Sequence, residues 1–144
     1  MTIILNTLTG AVSEYTRHAF QSVTPTHGGS AAGLYALGGD TDDGLPIVAH
    51  IQLPGTLRES TLKKAIKMAY ISMRGAGSAR FTVHGAQQSW GYDFPVRPSG
   101  QSRCQVGKGI KENYLGFSLS NPGGQAFTLD RVEIMHVPSN TRRV

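Results

Sequence analysis

VGKGIKENYLGFSLSNPGGQAFTLDRVEIMHVPSNTRRV, residues 106–144, decides the fold. Leu115, Phe117 and Leu119 alternate with Tyr114, Gly116 and Ser118, the period-2 spacing of a half-buried strand. Asn121-Pro122-Gly123-Gly124 stops the run, because proline brings no N–H to a ladder and glycine accepts positive φ. Phe127 and Leu129 resume the alternation. Val132, Ile134 and His136 continue it one position out of step, which predicts a bend or bulge near Asp130.

The same pattern recurs upstream. Residues 3–8 read as a first strand ended by Thr9-Gly10, and residues 11–15 as a second. Residues 21–32 are rich in Ser, Thr, Pro and Gly and read as a flexible polar loop. Residues 34–37 form a strand and residues 38–46 a tight acidic turn. Ile47, Ala49 and Ile51 then alternate with Val48, His50 and Gln52, in a strand ending at Pro54-Gly55. Residues 62–74 are ambiguous: Leu62, Ala65, Ile66 and Ala69 fit a helical stripe that Ser60 could cap. Lys63, Lys64 and Lys67 would oppose the dipole at that helix start, so the reading is a strand over residues 64–73, with Ile66, Met68 and Tyr70 on one face. Residues 75–77 then make a hairpin turn into residues 79–84. Trp90, Tyr92 and Phe94 share one face and read as a core stripe, with an exposed sugar-binding platform as the alternative. The whole chain is expected to be one all-β domain, a jelly-roll-like antiparallel β-sandwich of about eight short strands.

Composition agrees. A chain of 144 residues can bury a real core, and its 18 glycines and 7 prolines suit a turn-rich β protein better than a helical bundle. The formal net charge is +5. The excess lies at Arg58, Lys63, Lys64, Lys67, Arg74 and Arg80, and at Arg142 and Arg143 in a basic end, residues 140–144. Such charge can meet nucleic acid, an anionic membrane or an acidic protein. No nucleic-acid-reading motif accompanies it, so direct nucleic-acid contact is not expected. Residues 1–6 do not read as a signal peptide, no run is long and apolar enough to span a membrane, and Cys104 is the only cysteine, all fitting assembly in a reducing cytoplasm.

Chemical motifs fail on their spacing. In GGDTDDG, Asp40 and Asp42 sit like the first ligands of a calcium loop, but Gly44 takes the third place and Ile51 that of the bidentate Glu. His18, His27, His50, His84 and His136 are dispersed, with no pair at ligand spacing. Gly107-Lys108-Gly109 is followed by a strand, not by the helix of a phosphate loop. Glu14, Glu59, Glu112 and Glu133 are isolated. Cys104 stands beside Arg103, too little for a catalytic thiol. No catalytic, cofactor-binding or metal-binding residue is assigned, and the protein is not expected to be an enzyme.

The run GLYALGGDTDDGLPIVAHI, residues 33–51, followed by KGIKENYLGFSLSN and FTLDRVEIMHVPSNTRRV, resembles small virion structural proteins of tailed double-stranded-DNA bacteriophages. The matching positions are Gly33, Leu34, Tyr35, Gly39, Asp40, Asp42, Gly44, Pro46 and Ile47, then Tyr114, Phe117, Leu129, Asp130, Glu133, Arg142 and Arg143. Asn6-Thr7, Thr9-Gly10-Ala11-Val12 and Tyr15 also fit, whereas Leu115-Gly116 departs where a second aromatic is expected. The resemblance implies a non-enzymatic, multi-copy component of the tail, baseplate or tail tip, localised to the virion and assembled in the host cytoplasm. A head-decoration or head–tail collar protein and a carbohydrate-binding β-sandwich module are the alternatives. Its expected partners are other virion proteins and copies of itself. The expected contacts are Ile3 and Leu5, which can add to a partner's sheet edge, and the cations Lys63, Lys64, Lys67, Arg142 and Arg143.

Overall fold

The computed structural model describes residues 1–15 and 17–139. Its described part is all-β, built from antiparallel sheets with no helix. The chain divides into two compact units, Met1–Gly44 and Leu45–Val144. The expected single sandwich over the whole chain occupies only the second of them.

In the first unit, β1 (Thr2–Leu5) and β2 (Val12–Tyr15) form a hairpin, with Leu5 opposite Val12 and Ile3 opposite Glu14. The Asn6 side chain accepts hydrogen bonds from the Leu8 and Thr9 amides, which closes the connecting turn. A three-stranded sheet follows from β3 (Ser22–Val23), β4 (His27–Ser30) and β5 (Gly33–Ala36). Residues 21–32 are thus a hairpin where a polar loop was expected. Thr24 and His27 close its Pro25 turn by mutual hydrogen bonds, and Gly28 leaves room for the Phe20 ring, which a Cβ would meet at 2.8 Å. The rings of His18, Phe20 and Tyr35 cluster within 5.9 Å of one another. The unit ends in β6 (Thr41–Asp42) and the acidic turn, where Asp43 and Gly44 have φ of 51° and 79°. The glycine meets no steric cost there, and Asp is among the few other residues that tolerate it.

The second unit contains β7 (Leu45–Pro46), β8 (His50–Thr56), β9 (Lys64–Gly75), β10 (Ser78–His84), β11 (Ser89–Pro95), β12 (Gln101–Gln105), β13 (Lys111–Glu112), β14 (Leu115–Ser120) and β15 (Phe127–Pro138). One sheet runs β11-β10-β14-β8. In the other, β9 is central. β15 pairs with it from Gly75 to Lys64, while β12 and β13 pair in succession with Met68–Ser72 and Lys64–Ala65. Ala69, Ile71 and Met73 of β9 share one buried core with Phe81 and Val83 of β10 and with Leu115, Phe117 and Leu119 of β14. The stacked rings of Phe81 and Phe117, 5.7 Å apart, lie in that core. Truncating either to Ala removes a transfer and cavity contribution of ~3–5 kcal/mol. The strand order carries the sandwich; it does not by itself carry the jelly-roll winding.

Irregularities set the faces. β15 shifts register between Leu129 and Arg131, the bulge expected near Asp130. A second shift lies between Met135 and His136, opposite Lys67. It changes which face of β9 points inward, so Ile66 is buried but Ala69, Ile71 and Met73 follow it, and Met68 and Tyr70 turn away from the core. β8 runs through Pro54-Gly55, where it was expected to stop, by shifting register opposite Leu115–Phe117. Proline is tolerated because β8 is an edge strand. Gly116 packs on that bulge, and a Cβ there would stand 3.2 Å from the Gly55 nitrogen, so the aromatic expected at this place has no room. The expected hairpin at residues 75–77 is instead a crossover between sheets, since β9 and β10 pair with different partners. Gly75 and Gly77 make the turn at φ of 153° and 77°.

Candidate functional site

Reactive groups are taken up by the fold. Cys104 is buried, its thiol 3.9 Å from the Tyr92 carbonyl oxygen. Burial, with the Asp93 charge adding to it, pushes the thiol up to about 11, the opposite of an activated nucleophile. The His84 ring nitrogens lie 2.7 Å from the Ser89 hydroxyl and 2.8 Å from that of Ser118. The second contact has the reach of a nucleophile–base pair, but Ser118 is buried in the sheet and a hydroxyl, not a carboxylate, stands behind the imidazole. Asp42 of the acidic turn is engaged by His18 at 2.9 Å. Among the described residues no three His, Cys, Asp or Glu side chains converge as a metal site, and no helix is long and apolar enough to cross a membrane.

Most cations of the basic stretch are engaged within the chain, although Lys67, Arg74 and Arg80 stay exposed. Lys64, expected on the surface as a partner contact, is buried. Its ammonium donates to the carbonyls of Ser60, Leu62 and Asn113 at 2.5, 2.9 and 3.4 Å, tying the segment before β9 to the β13–β14 connection. Burial lowers its pKa from the usual 10.5. Arg58 donates to the carbonyls of Leu115 and Pro54 and lies 5.2 Å above the centre of the Phe117 ring. Arg80 forms a two-pronged pair with Asp93 at 2.7 and 2.9 Å, and Arg74 stands 3.7 Å from Asp130. Lys63 is half-buried and Lys67 exposed on the β9 bulge. Arg142 and Arg143, with the rest of the basic end, lie outside the described residues.

What the fold leaves open is apolar. Ile3, Leu5 and Val12 lie on one face of the β1–β2 hairpin, with Glu14 opposite Ile3, and are 62%, 58% and 65% exposed, with Leu8 at its tip 95% exposed. The opposite face holds Thr2, whose hydroxyl donates to the His18 carbonyl and accepts from the Phe20 amide. Ile3 and Leu5, expected as partner contacts, are thus available to solvent.

A second opening lies in the sandwich. Ile51 and Leu53 of β8 stand opposite Leu119 and Phe117, both of the core, yet are 40% and 44% exposed. In β15, Phe127, Leu129, Val132 and Ile134 pack against the core only partly buried. Among the described residues β8 pairs only with β14 and β15 only with β9, so each keeps a free edge. The sequence reading missed Ile51 and Leu53 as surface residues. The signal was present in Pro54, since a proline following an alternating run marks an edge strand. Trp90 and Tyr92, the alternative sugar platform, are partly buried against the core. A Cβ on Gly85 would touch the Trp90 ring and one on Gly107 the Tyr92 hydroxyl.

Compared with protein-family models, curated proteins and solved structures, the chain matches none.

Proposed function

We propose that this chain is a non-enzymatic structural protein of a tailed-phage virion, a multi-copy component of the tail, baseplate or tail tip, assembled in the host cytoplasm. The sequence resemblance supplies the setting. The observation that carries the reading is the bare apolar face of the β1–β2 hairpin. Ile3, Leu5 and Val12 of that face and Leu8 at the tip are all more than half exposed, with Glu14 as the charged residue opposite Ile3, and exposed apolar groups rimmed by polar residues mark interaction surfaces. A two-stranded hairpin is at best marginally stable in water unless something covers such a face. The unpaired edges of β8 and β15 are a second type of docking element, using backbone hydrogen bonds. The partners are other virion proteins and copies of this chain. A head-decoration or collar position uses the same surfaces and differs only in place. The carbohydrate-module reading loses its main support, because Trp90 and Tyr92 pack against the core.

The test is mass spectrometry and antibody labelling of particles purified from the host that carries this coding sequence. Stoichiometric presence at a fixed place on the particle is expected. Absence from highly purified particles refutes the reading.

A further inference from the structure

We infer that the free side of β12 takes an extended acidic segment of another protein as an added strand, with the carboxylates of that segment lying on Arg103, Lys67 and Lys111. The inference deepens the assembly reading above and rests on it for the source of that segment.

The backbone of β12 is ready to pair. Among the described residues β12 pairs only with β9. Antiparallel pairing alternates between residues that turn their backbone groups to the partner and residues that turn them away. The Met73 amide donates to the Gly100 carbonyl at 3.0 Å. Steps of two from Gly100 put Ser102 and Cys104 in the bonded set. Gln101, Arg103 and Gln105 therefore present their N–H and C=O groups to the free side. Their side chains are exposed, whereas Ser102 and Cys104 are buried. The strand holds no proline, and its register with β9 is unbroken over its 5 residues.

The charge beside it has one sign. Between Asp93 and Glu112 the chain carries Arg97, Arg103, Lys108 and Lys111 and no Asp or Glu. All four are exposed, as is Lys67 on the β9 bulge. Among the described residues none of these five cations forms an ion pair. Register lines up three of them: Arg103 stands opposite Tyr70, Lys111 opposite Ala65, and Lys67 between those two positions of β9. At the rise of a strand the row is about 16 Å long, the reach of roughly five or six extended residues. Side chains at alternate positions of such a segment share one face, so acids spaced by two meet the row together.

Charge on an edge ordinarily keeps other strands away. On β15 the charges cancel, in the Arg74–Asp130 and Arg131–Glu133 pairs. On β12 they do not cancel. That edge disfavours basic strands, including those of a second copy of this chain with its net charge of +5, and favours an acidic one. A polypeptide suits it better than nucleic acid. A sugar–phosphate chain cannot complete the backbone ladder that β12 offers. Glu133, opposite Tyr70 on the other side of β9, repels phosphates spread across the face. Trp90 and Tyr92 pack against the core and give no open ring for base stacking.

The experiment measures fluorescence anisotropy with the purified full chain and a labelled eight-residue peptide that alternates Glu and Thr. Saturable binding is expected at about 50 mM salt, weakened at least about tenfold at about 500 mM. The peptide that alternates Gln and Thr should bind at least about tenfold more weakly. Arg103→Glu/Lys111→Glu should cost about tenfold or more. Arg74→Glu/Arg131→Glu makes the same change in net charge on the β15 side and should cost less than about threefold. Amide hydrogen exchange should slow at Arg103 and Gln105 when the Glu-Thr peptide is bound, as strand addition requires. Far-ultraviolet circular dichroism checks folding. If the double variant does not fold, Arg103→Gln replaces it, and exchange in the wild type keeps the test decisive. No binding of the acidic peptide, equal losses in both double variants, or unchanged exchange at β12 would each overturn the inference. So would tighter binding of an eight-nucleotide thymidine oligomer that is lost in the same variant, which would give the surface to nucleic acid. Any of these leaves the virion reading standing on the hairpin. Absence from particles would sink the virion reading while leaving measured peptide binding intact.

Discussion

Asn121 offers the sharpest test of how the open edge is held in place. The residue is buried, and its side chain makes three hydrogen bonds. Its Oδ1 accepts from the Ala49 amide at 2.6 Å, and its Nδ2 donates to the carbonyls of Gln125 at 2.8 Å and Ile47 at 3.3 Å. These bonds fasten residues 47–49, which lead into β8, to the turn between β14 and β15. Asn121→Ala removes all three, from a side chain that is itself buried although Ile47 and Gln125 are exposed. With net worth of ~1 kcal/mol for a neutral hydrogen bond and ~1–3 kcal/mol for a group left unsatisfied, the expected loss is about 3 kcal/mol. Asn121→Asp keeps the acceptor for Ala49 but sets a carboxylate against two carbonyl oxygens, so it should cost at least as much at neutral pH. Less of that cost should remain in acid, where the protonated side chain regains one donor. Urea unfolding followed by Trp90 fluorescence measures both. A loss below about 1 kcal/mol for Asn121→Ala, with an unchanged m-value, would refute the claim that this side chain organises the edge.

Three further outcomes follow from the same structure. Trp90→Ala should cost about 3 kcal/mol in urea unfolding, as for truncating an aromatic packed on the core; a cost under about 1 kcal/mol with weakened glycan binding would favour the sugar platform. Cys104 should react with a thiol reagent at pH 8 about a hundredfold more slowly in the folded than in the unfolded chain, since a thiol pushed to about 11 is ionised to about one part in a thousand there; equal rates would contradict its burial. For Lys64 the pKa is lowered in the fold, so the unfolded chain holds that proton more tightly below 10.5. The stability of wild type relative to Lys64→Met should therefore rise as pH climbs towards 10.5, which paired urea titrations at pH 7 and pH 10 would show, and a falling difference would contradict the sign.

Period-2 alternation made most strands legible, because a side chain facing the core must be apolar whatever its neighbours do. The slip between Leu129 and Val132 even located a bulge. The stretch around β9 shows why the same rule falters. Its inward side chains are Ile66, Ala69, Ile71 and Met73, a spacing of three and then two. The bulge opposite Met135 and His136 inserts the extra residue, and with Leu62 and Ala65 nearby the run imitates a helical stripe. Lys64 misled for another reason. Lysine reads as surface by type, and only the folded chain shows three backbone carbonyls converging on its ammonium. The Gly75–Gly77 turn has hairpin composition, yet pairing is decided by which sheet receives β10, and that depends on β14 and β11 far along the chain. The candidate site was half legible. Ile3 and Leu5 stood out as an uncharged apolar strand, whereas the exposure of Ile51 and Leu53 depends on how far the facing sheet extends.

The two kinds of edge in this sandwich point to different selection on each. Sheet edges are hazards in free proteins, and β15 is guarded as a free edge should be, with the Arg131–Glu133 ion pair at 2.8 Å and a bulge beside it. Ion pairs this exposed contribute little stability. Their value lies in keeping strands of other chains away. β8 has Pro54 and a bulge after Leu53 but no charged residue along His50–Leu53, and it also leaves two inward-facing side chains wet. A protein meant to remain single would gain from a charge at Gln52, on the face away from the core, at almost no cost in folding. Introducing one therefore separates the two roles. Gln52→Lys, on the face away from the core, should leave the unfolding midpoint within about 0.5 kcal/mol of wild type, as for a surface substitution. If β8 is a docking edge, the same change should impair incorporation into particles, measured by quantitative mass spectrometry of virions made with the variant as the only copy. Normal incorporation with unchanged stability would mean that the bare edge of β8 is incidental, and that the partner-binding reading must rest on the other surfaces.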